Sequence, residues 1–167
     1  MNFFIEQIAL CPPNPEKAIA LLCELGLDTW VTDHVVAGGK VFGQAGGNEA
    51  DLAFNYQNTR EGNKPLELEV LHYTQGPNWM AGRPPMVSHL GMHCTAEELD
   101  KFRRKFADMG ITVAQEVFTQ SHTNPFLLET GRKYQYVIFD TRDILGTDLK
   151  FIVRREKPEV GTEAAAT

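Results

Sequence analysis

The chain has 167 residues, 43% of them hydrophobic and 23% charged, with a net charge of −6 that argues against a phosphate-backbone partner, because nucleic-acid binders present a basic face. That length fits one domain or two small fused modules with a full core. No apolar run approaches the roughly 18 residues a membrane helix needs, and MNFFIEQIALC lacks a signal-peptide pattern, so the expectation is a cytoplasmic protein without a membrane partner.

In chain order, the first element is a β-rich run, F-F-I-E-Q-I-A-L, ending before Cys11. A helix follows, with Asn14 as N-cap, Pro15 at the first helical position and Gly26 as the stop; Ala18, Leu21, Leu22 and Leu25 form its apolar stripe. Four strand-like runs come next: Asp28 to Val36, Lys40 to Gly43, Asp51 to Tyr56 and Leu66 to Tyr73. A-G-G-K, A-G-G-N and T-R-E-G-N-K separate them as turns. T-Q-G-P-N-W-M-A-G-R-P-P reads as a linker in which Trp79 covers the seam between two halves. V-S-H-L-G-M-H then opens a second unit. Its helix begins with a capping box of Thr95 and Glu98 and carries Leu99, Phe102, Phe106 and Met109 as its stripe before Gly110. Thr112 to Phe118, Tyr134 to Asp140 and Asp148 to Arg154 read as strands, with Thr119 to Phe126 as a polar loop and Asp140 to Gly146 as a turn. The last residues lack periodicity and read as a tail. The three cysteines, Cys11, Cys23 and Cys94, form no C-x-x-C pair and are expected to be reduced and buried.

Strand, helix and then about three strands therefore occur twice. Setting Gln7 against His89 also sets Leu25-Gly26-Leu27 against Met109-Gly110-Ile111, and Leu68-Glu69-Val70 against Leu149-Lys150-Phe151, with nearly constant offset. The units are 1–75 and 86–155, with 76–85 as linker and 156–167 as tail. The fold class is α+β: two βαβββ modules with curved mixed sheets forming a cupped pocket, helices outside.

With I-E-Q-I-A-L and S-H-L-G-M-H opening the modules and L-E-V and L-K-F closing them, residues 3 to 154 resemble the vicinal oxygen chelate superfamily. Its members include glyoxalase I, extradiol dioxygenases, epimerases and bleomycin- or fosfomycin-resistance proteins. The resemblance implies a homodimer acting on a small molecule. It also implies a divalent metal (Zn²⁺, Ni²⁺, Fe²⁺ or Mn²⁺) held in the cup by residues of the first and last strands of each module. Carried over one position at a time, the ligands are Gln7, Glu69 (with Glu67 as neighbour) and His89, and the fourth, usually a glutamate, is Lys150. An ammonium repels a cation and has no lone pair to offer.

Two readings follow. In one, Gln7, Glu69 and His89, with waters or Asp148, hold a metal acting as Lewis acid in a lyase, isomerase or dioxygenase, Glu69 and Lys150 being its catalytic candidates. In the other, Lys150 replaces the metal, pairs with Glu69, and leaves a metal-free pocket that binds or sequesters a small molecule, as in bleomycin-resistance proteins. His93 shares the face of His89, but four strand residues span about 13 Å, so it reads as a wall or rim residue rather than a second ligand. His122 and Asn124 in the polar loop, and Tyr136 on its strand, are the other candidate substrate contacts. Alternation sends His72 to the outer face, away from Glu69, and His34 is expected at the surface.

Overall fold

A computed structural model describes residues 2–57, 66–83 and 87–155. The T-R-E-G-N-K turn, the last residues of the linker and the tail lie outside this range.

The first half runs β1 (Gln7–Leu10), α1 (Pro15–Glu24), β2 (Trp30–Val41), β3 (Gln44–Asn55) and β4 (Glu67–Gln75). The second runs β5 (Val87–Cys94), α2 (Ala96–Asp108), β6 (Val113–Ser121), α3 (Pro125–Thr130), β7 (Lys133–Phe139), α4 (Arg142–Leu145) and β8 (Asp148–Arg155). Each half makes a curved mixed sheet in which its first and last strands lie parallel, β1 on β4 and β5 on β8. The sheets meet at both edges, β1 antiparallel to β5 and β2 antiparallel to β6, which closes a barrel in the order β1-β4-β3-β2-β6-β7-β8-β5. The α+β cup of the sequence reading is thus joined along both seams. Among the described residues no helix is long and apolar enough to cross a membrane.

The glycine pairs were expected as turns, and the structure corrects this. Gly38-Gly39 and Gly46-Gly47 lie inside β2 and β3, facing each other across one continuous hairpin whose turn is Phe42-Gly43, both at positive φ. A Gly-Gly pair looks locally like a turn, but here it permits close approach of a third strand. A Cβ on Gly39 would fall 2.0 Å from the Glu116 carbonyl oxygen of β6. Gly39→Ala is expected to cost about 1–3 kcal/mol or more through this overlap, whereas Gly38→Ala, with nothing within 4 Å of its added Cβ, should change stability by no more than about 0.5 kcal/mol. Urea unfolding of the two variants checks this, and equal effects would refute the seam argument.

Both helix starts match the sequence reading. Asn14 Oδ1 accepts from Lys17 N at 2.8 Å, and Thr95 and Glu98 form the reciprocal capping box. Their faces differ. In α2, Leu99, Phe102 and Phe106 are buried against Phe139 and Phe151 with ring centroids as close as 4.6 Å, each burial stabilising by about 1.5–3 kcal/mol. Met109, expected on that stripe, is exposed. α1 contains no buried residue, and Leu21 and Leu25 are exposed. Ala18, Ile19, Leu22 and Cys23, which are half-buried, face the sheet instead.

The linker is a plug rather than a solvated connector. Trp79 is 1% exposed and stands edge-on to Tyr73, with its ring 5.7 Å from that of His89. Its indole Nε1 donates to Asp148 Oδ2 at 3.0 Å. Asp148 is fully buried and also accepts from Arg83 Nη1 at 2.7 Å, Arg142 Nε and Nη2 at 3.2 and 2.8 Å, and Thr141 N at 3.2 Å. This carboxylate ties linker, α4 and β8 together and stoppers one barrel end. The three cysteines are half-buried and unbridged.

Candidate binding cavity and the buried polar cluster behind it

Strand register sets two lateral rows of side chains. Glu67, Gln7, Gly91 and Lys150 are neighbours across β4, β1, β5 and β8, and Glu69, Ala9, His89 and Asp148 form the next row. The period of two turns both rows into the barrel. Gly91 supplies the missing volume between them, since a Cβ there would lie 2.8 Å from Gln7 Oε1.

The four positions Gln7, Glu69, His89 and Lys150 converge in one buried cluster, with residue exposures from 0 to 3%. His89 Nε2 is 2.9 Å from Gln7 Oε1 and 3.1 Å from Glu69 Oε2, and Lys150 Nζ donates to the same Glu69 oxygen at 3.1 Å. Two acceptors facing Nε2 assign its proton there. The Ser88 hydroxyl stands between His89 Nδ1 at 3.1 Å and the Ala9 carbonyl at 3.2 Å. Gln7 Nε2 donates to Glu67 Oε1. Lys150 Nζ also sits 4.3 Å from the Tyr136 ring centroid, a cation–π contact.

Burial pushes the Glu69 carboxyl up, but the Lys150 ammonium and the hydrogen bond from His89 outweigh it and hold the group at about 2. Burial, reinforced by the Lys150 charge, pulls the His89 imidazole down to about 4 against its bond to Glu69. At neutral pH the cluster therefore holds an ionised Glu69 and a neutral His89. Among the described residues no three His, Cys, Asp or Glu side chains form a group able to hold one metal ion. Asp148 shares the inward face of Lys150 but is taken up by Arg83 and Arg142.

A cavity of about 420 Å³ opens from the other barrel end, within the size range of small-molecule sites. Its floor is formed by Gln7, Glu67 and Tyr136, and Glu69, His89 and Lys150 lie behind that floor, around a crevice of about 20 Å³, room for about one water. Its walls are largely apolar and aromatic, including Leu52, Phe54, Phe126 and the stacked rings of Tyr134 and Tyr136. Burial first, and then a hydrogen bond to Glu67, raise the Tyr56 phenol, so it stands at the wall as a neutral donor.

The remaining candidates divide. His93 lines the cavity at its rim, half-exposed, 3.4 Å from Glu6. Asn124 lines it too, although its Oδ1 caps α3 by accepting from Phe126 N and Leu127 N. Tyr136 borders both cavity and crevice. His122 is not brought there: β6 continues to Ser121, which faces inward, and His122 falls on the exposed outer side, edge-on to His34 at 6.2 Å. His72 is exposed on the outer face. Sequence reasoning missed Asp33, Ser88 and Arg132. Ser88 adjoins His89 and could have been weighed as its partner, but G-R-K before β7 carries no pattern that singles out Arg132.

The sequence matches the family model described as glyoxalase/bleomycin resistance protein/dioxygenase superfamily over residues 6–127. No curated protein matches. Among solved structures, a variant of the Streptomyces coelicolor methylmalonyl-CoA epimerase in complex with 2-nitronate-propionyl-CoA is similar with TM-score 0.51 at 14% identity, over 92% of this chain and 97% of that one. A second variant in the same complex gives 0.50 at 13%, over 89% and 95%. The Mycobacterium tuberculosis methylmalonyl-CoA epimerase gives 0.48 at 12%, over 92% and 87%. At these identities the likeness is one of fold. With the family model spanning most of the chain and the paired βαβββ layout in the structure, this protein belongs to the glyoxalase/bleomycin resistance/dioxygenase group, the vicinal oxygen chelate superfamily.

Proposed function

We propose that this chain is a metal-free small-molecule binding protein of its superfamily, using the 420 Å³ cavity as its site and the Glu69–Lys150 pair as the rigid support behind it. The observation that carries the reading is Lys150 Nζ at 3.1 Å from Glu69 Oε2, with both side chains buried. The family's metal does not fit this donor set. The Glu69 oxygen a cation would need already accepts from Lys150 and His89, and the Gln7 oxygen accepts the same imidazole proton. Lys150 already neutralises Glu69, and the remaining carboxylate, Glu67, is engaged by Gln7, so a dication would enter a buried site beside the Lys150 ammonium, at a large desolvation cost.

The placement of the proton-bearing groups supports binding over catalysis. Glu69 and Lys150, the catalytic candidates of the Lewis-acid reading, stand behind the cavity floor, and a molecule in the cavity meets Gln7, Glu67 and Tyr136 first.

Protein purified without chelator and then dialysed against Zn²⁺, Ni²⁺ and Mn²⁺ is expected to retain far less than one equivalent by elemental analysis. Lys150→Glu, which restores the usual carboxylate and leaves the cluster net negative, is expected to gain metal. One equivalent retained by the unaltered protein would overturn the reading.

A further inference from the structure

The charged groups around the cavity are not equally committed. Asp33, buried at the rim, is engaged through Oδ1, which accepts from Ser121 Oγ at 2.8 Å, Thr123 N and Oγ1 at 3.3 Å and Asn124 N at 3.0 Å. Glu67 accepts from Gln7, and His93 is paired with Glu6. Arg132 also lines the cavity, yet its guanidinium makes no hydrogen bond or ion pair with any described residue, and its Nε is buried without a partner. What holds it is the Phe126 ring, 4.6 Å from the guanidinium carbon to the centroid.

A buried N–H of a charged group without an acceptor is costly, and an arriving acceptor that neutralises the charge recovers that cost. Among the described cavity-lining residues Arg132 is the only cation not already paired, so the site offers one positive charge in a planar fork suited to two parallel oxygens. Among the described residues that line the cavity, no second cation stands by for a doubly charged phosphate. Around it the wall is aromatic and aliphatic, with the Tyr134 and Tyr136 planes inclined by only 22°. At the floor, the Glu67 carboxylate repels an anion and accepts a donor, so the anionic end is directed toward Arg132.

Resting on the reading of the cavity as a binding site, we propose that its ligand class is the small aromatic monocarboxylate, with the carboxylate on the Arg132 guanidinium and the ring against Tyr134 and Tyr136. This turns a general pocket into one with a defined polarity.

The test compares matched acids and amides: benzoate with benzamide, and phenylacetate with phenylacetamide, each titrated into the full chain with inorganic phosphate as a further probe. Binding is followed through the Arg132 Nε–H resonance, assigned by its loss in Arg132→Gln, and through tyrosine fluorescence. The acids are expected to bind roughly tenfold or more tightly than their amides, the worth of one charge-assisted contact. Arg132→Gln should abolish that preference, and Arg132→Lys should retain part of it. Equal binding of acid and amide to the unaltered protein, tighter binding of phosphate than of either acid, or no binding of any probe would overturn the proposal. The acid-to-amide comparison needs no variant to fold. Equal binding of acid and amide leaves the metal-free binding reading intact, and retained metal in the dialysis experiment is what removes that reading.

Discussion

Asp148→Ala is expected to lower unfolding stability by about 3–5 kcal/mol, the usual consequence of removing one partner from a buried ion pair and a large part of the roughly 5–15 kcal/mol a domain possesses. The carboxylate is fully buried, and its loss removes a charged acceptor from Arg83 and from Arg142, whose side chains are only 20% and 16% exposed. It also removes the Trp79 indole's acceptor and one of the two acceptors of Thr141 N, which keeps the Phe139 carbonyl. Urea unfolding followed by tryptophan fluorescence measures the effect. Lys101→Ala, which deletes an exposed helical pair with Glu97, should leave the midpoint where it was. An Asp148→Ala midpoint as little changed would refute the assignment of Asp148 as the tie between linker and barrel.

Lys150→Met is expected to cost a similar amount, about 3–5 kcal/mol at neutral pH, because methionine keeps the length but leaves Glu69 ionised and buried without its cation. The pH dependence gives this a second readout. In the unaltered protein Glu69 is held at about 2, below its ordinary 4.5, so its stabilising contribution is full above pH 4.5 and is lost as pH falls toward 2. His89 is held at about 4, below its ordinary 6.5, so between those values the unfolded chain binds a proton that the folded chain refuses, and acid again destabilises. Stability should therefore decline steadily from pH 7 to pH 3. In Lys150→Met the main influence lowering Glu69 is gone, burial raises its pKa, and protonation relieves the buried charge. The gap between variant and unaltered protein should then narrow on acidification. A gap of constant size across urea titrations at pH 7, 5.5 and 4 would show that Lys150 acts only through packing.

How much of this was legible in the sequence depended on whether the signal was periodic. The repeat set Gln7 against His89 and Glu69 against Lys150, the resemblance to the superfamily implied that all four meet in one cup, and the period of two sent His72 outside, since strand parity is carried locally even when partners are distant. Pairwise geometry was not legible in the same way. Gly38-Gly39 and Gly46-Gly47 read as turns because nothing nearby in the chain reveals that β6 must pass within contact of Gly39. The α1 stripe was read from spacing, but burial depends on what the helix meets, and Leu21 and Leu25 meet solvent. His122 was assigned to a pocket loop because the reading ended β6 at Phe118, whereas the strand runs on to Ser121 and parity turns His122 outward. Arg132 was invisible for another reason: its distinction is that no described residue pairs with its guanidinium, and a sequence does not display a missing contact.

The stopper built from Trp79 and Asp148 makes the cavity a blind alley. A molecule that enters past α3 cannot pass through the barrel and must leave by the same mouth, so its residence time is governed by the rim formed by Phe126, Asn124 and His93. Substitution of His93, the rim residue that neither stacks on Arg132 nor caps α3, should alter entry and exit rates together and leave equilibrium affinity nearly untouched, a kinetic signature that a channel open at both ends would not give.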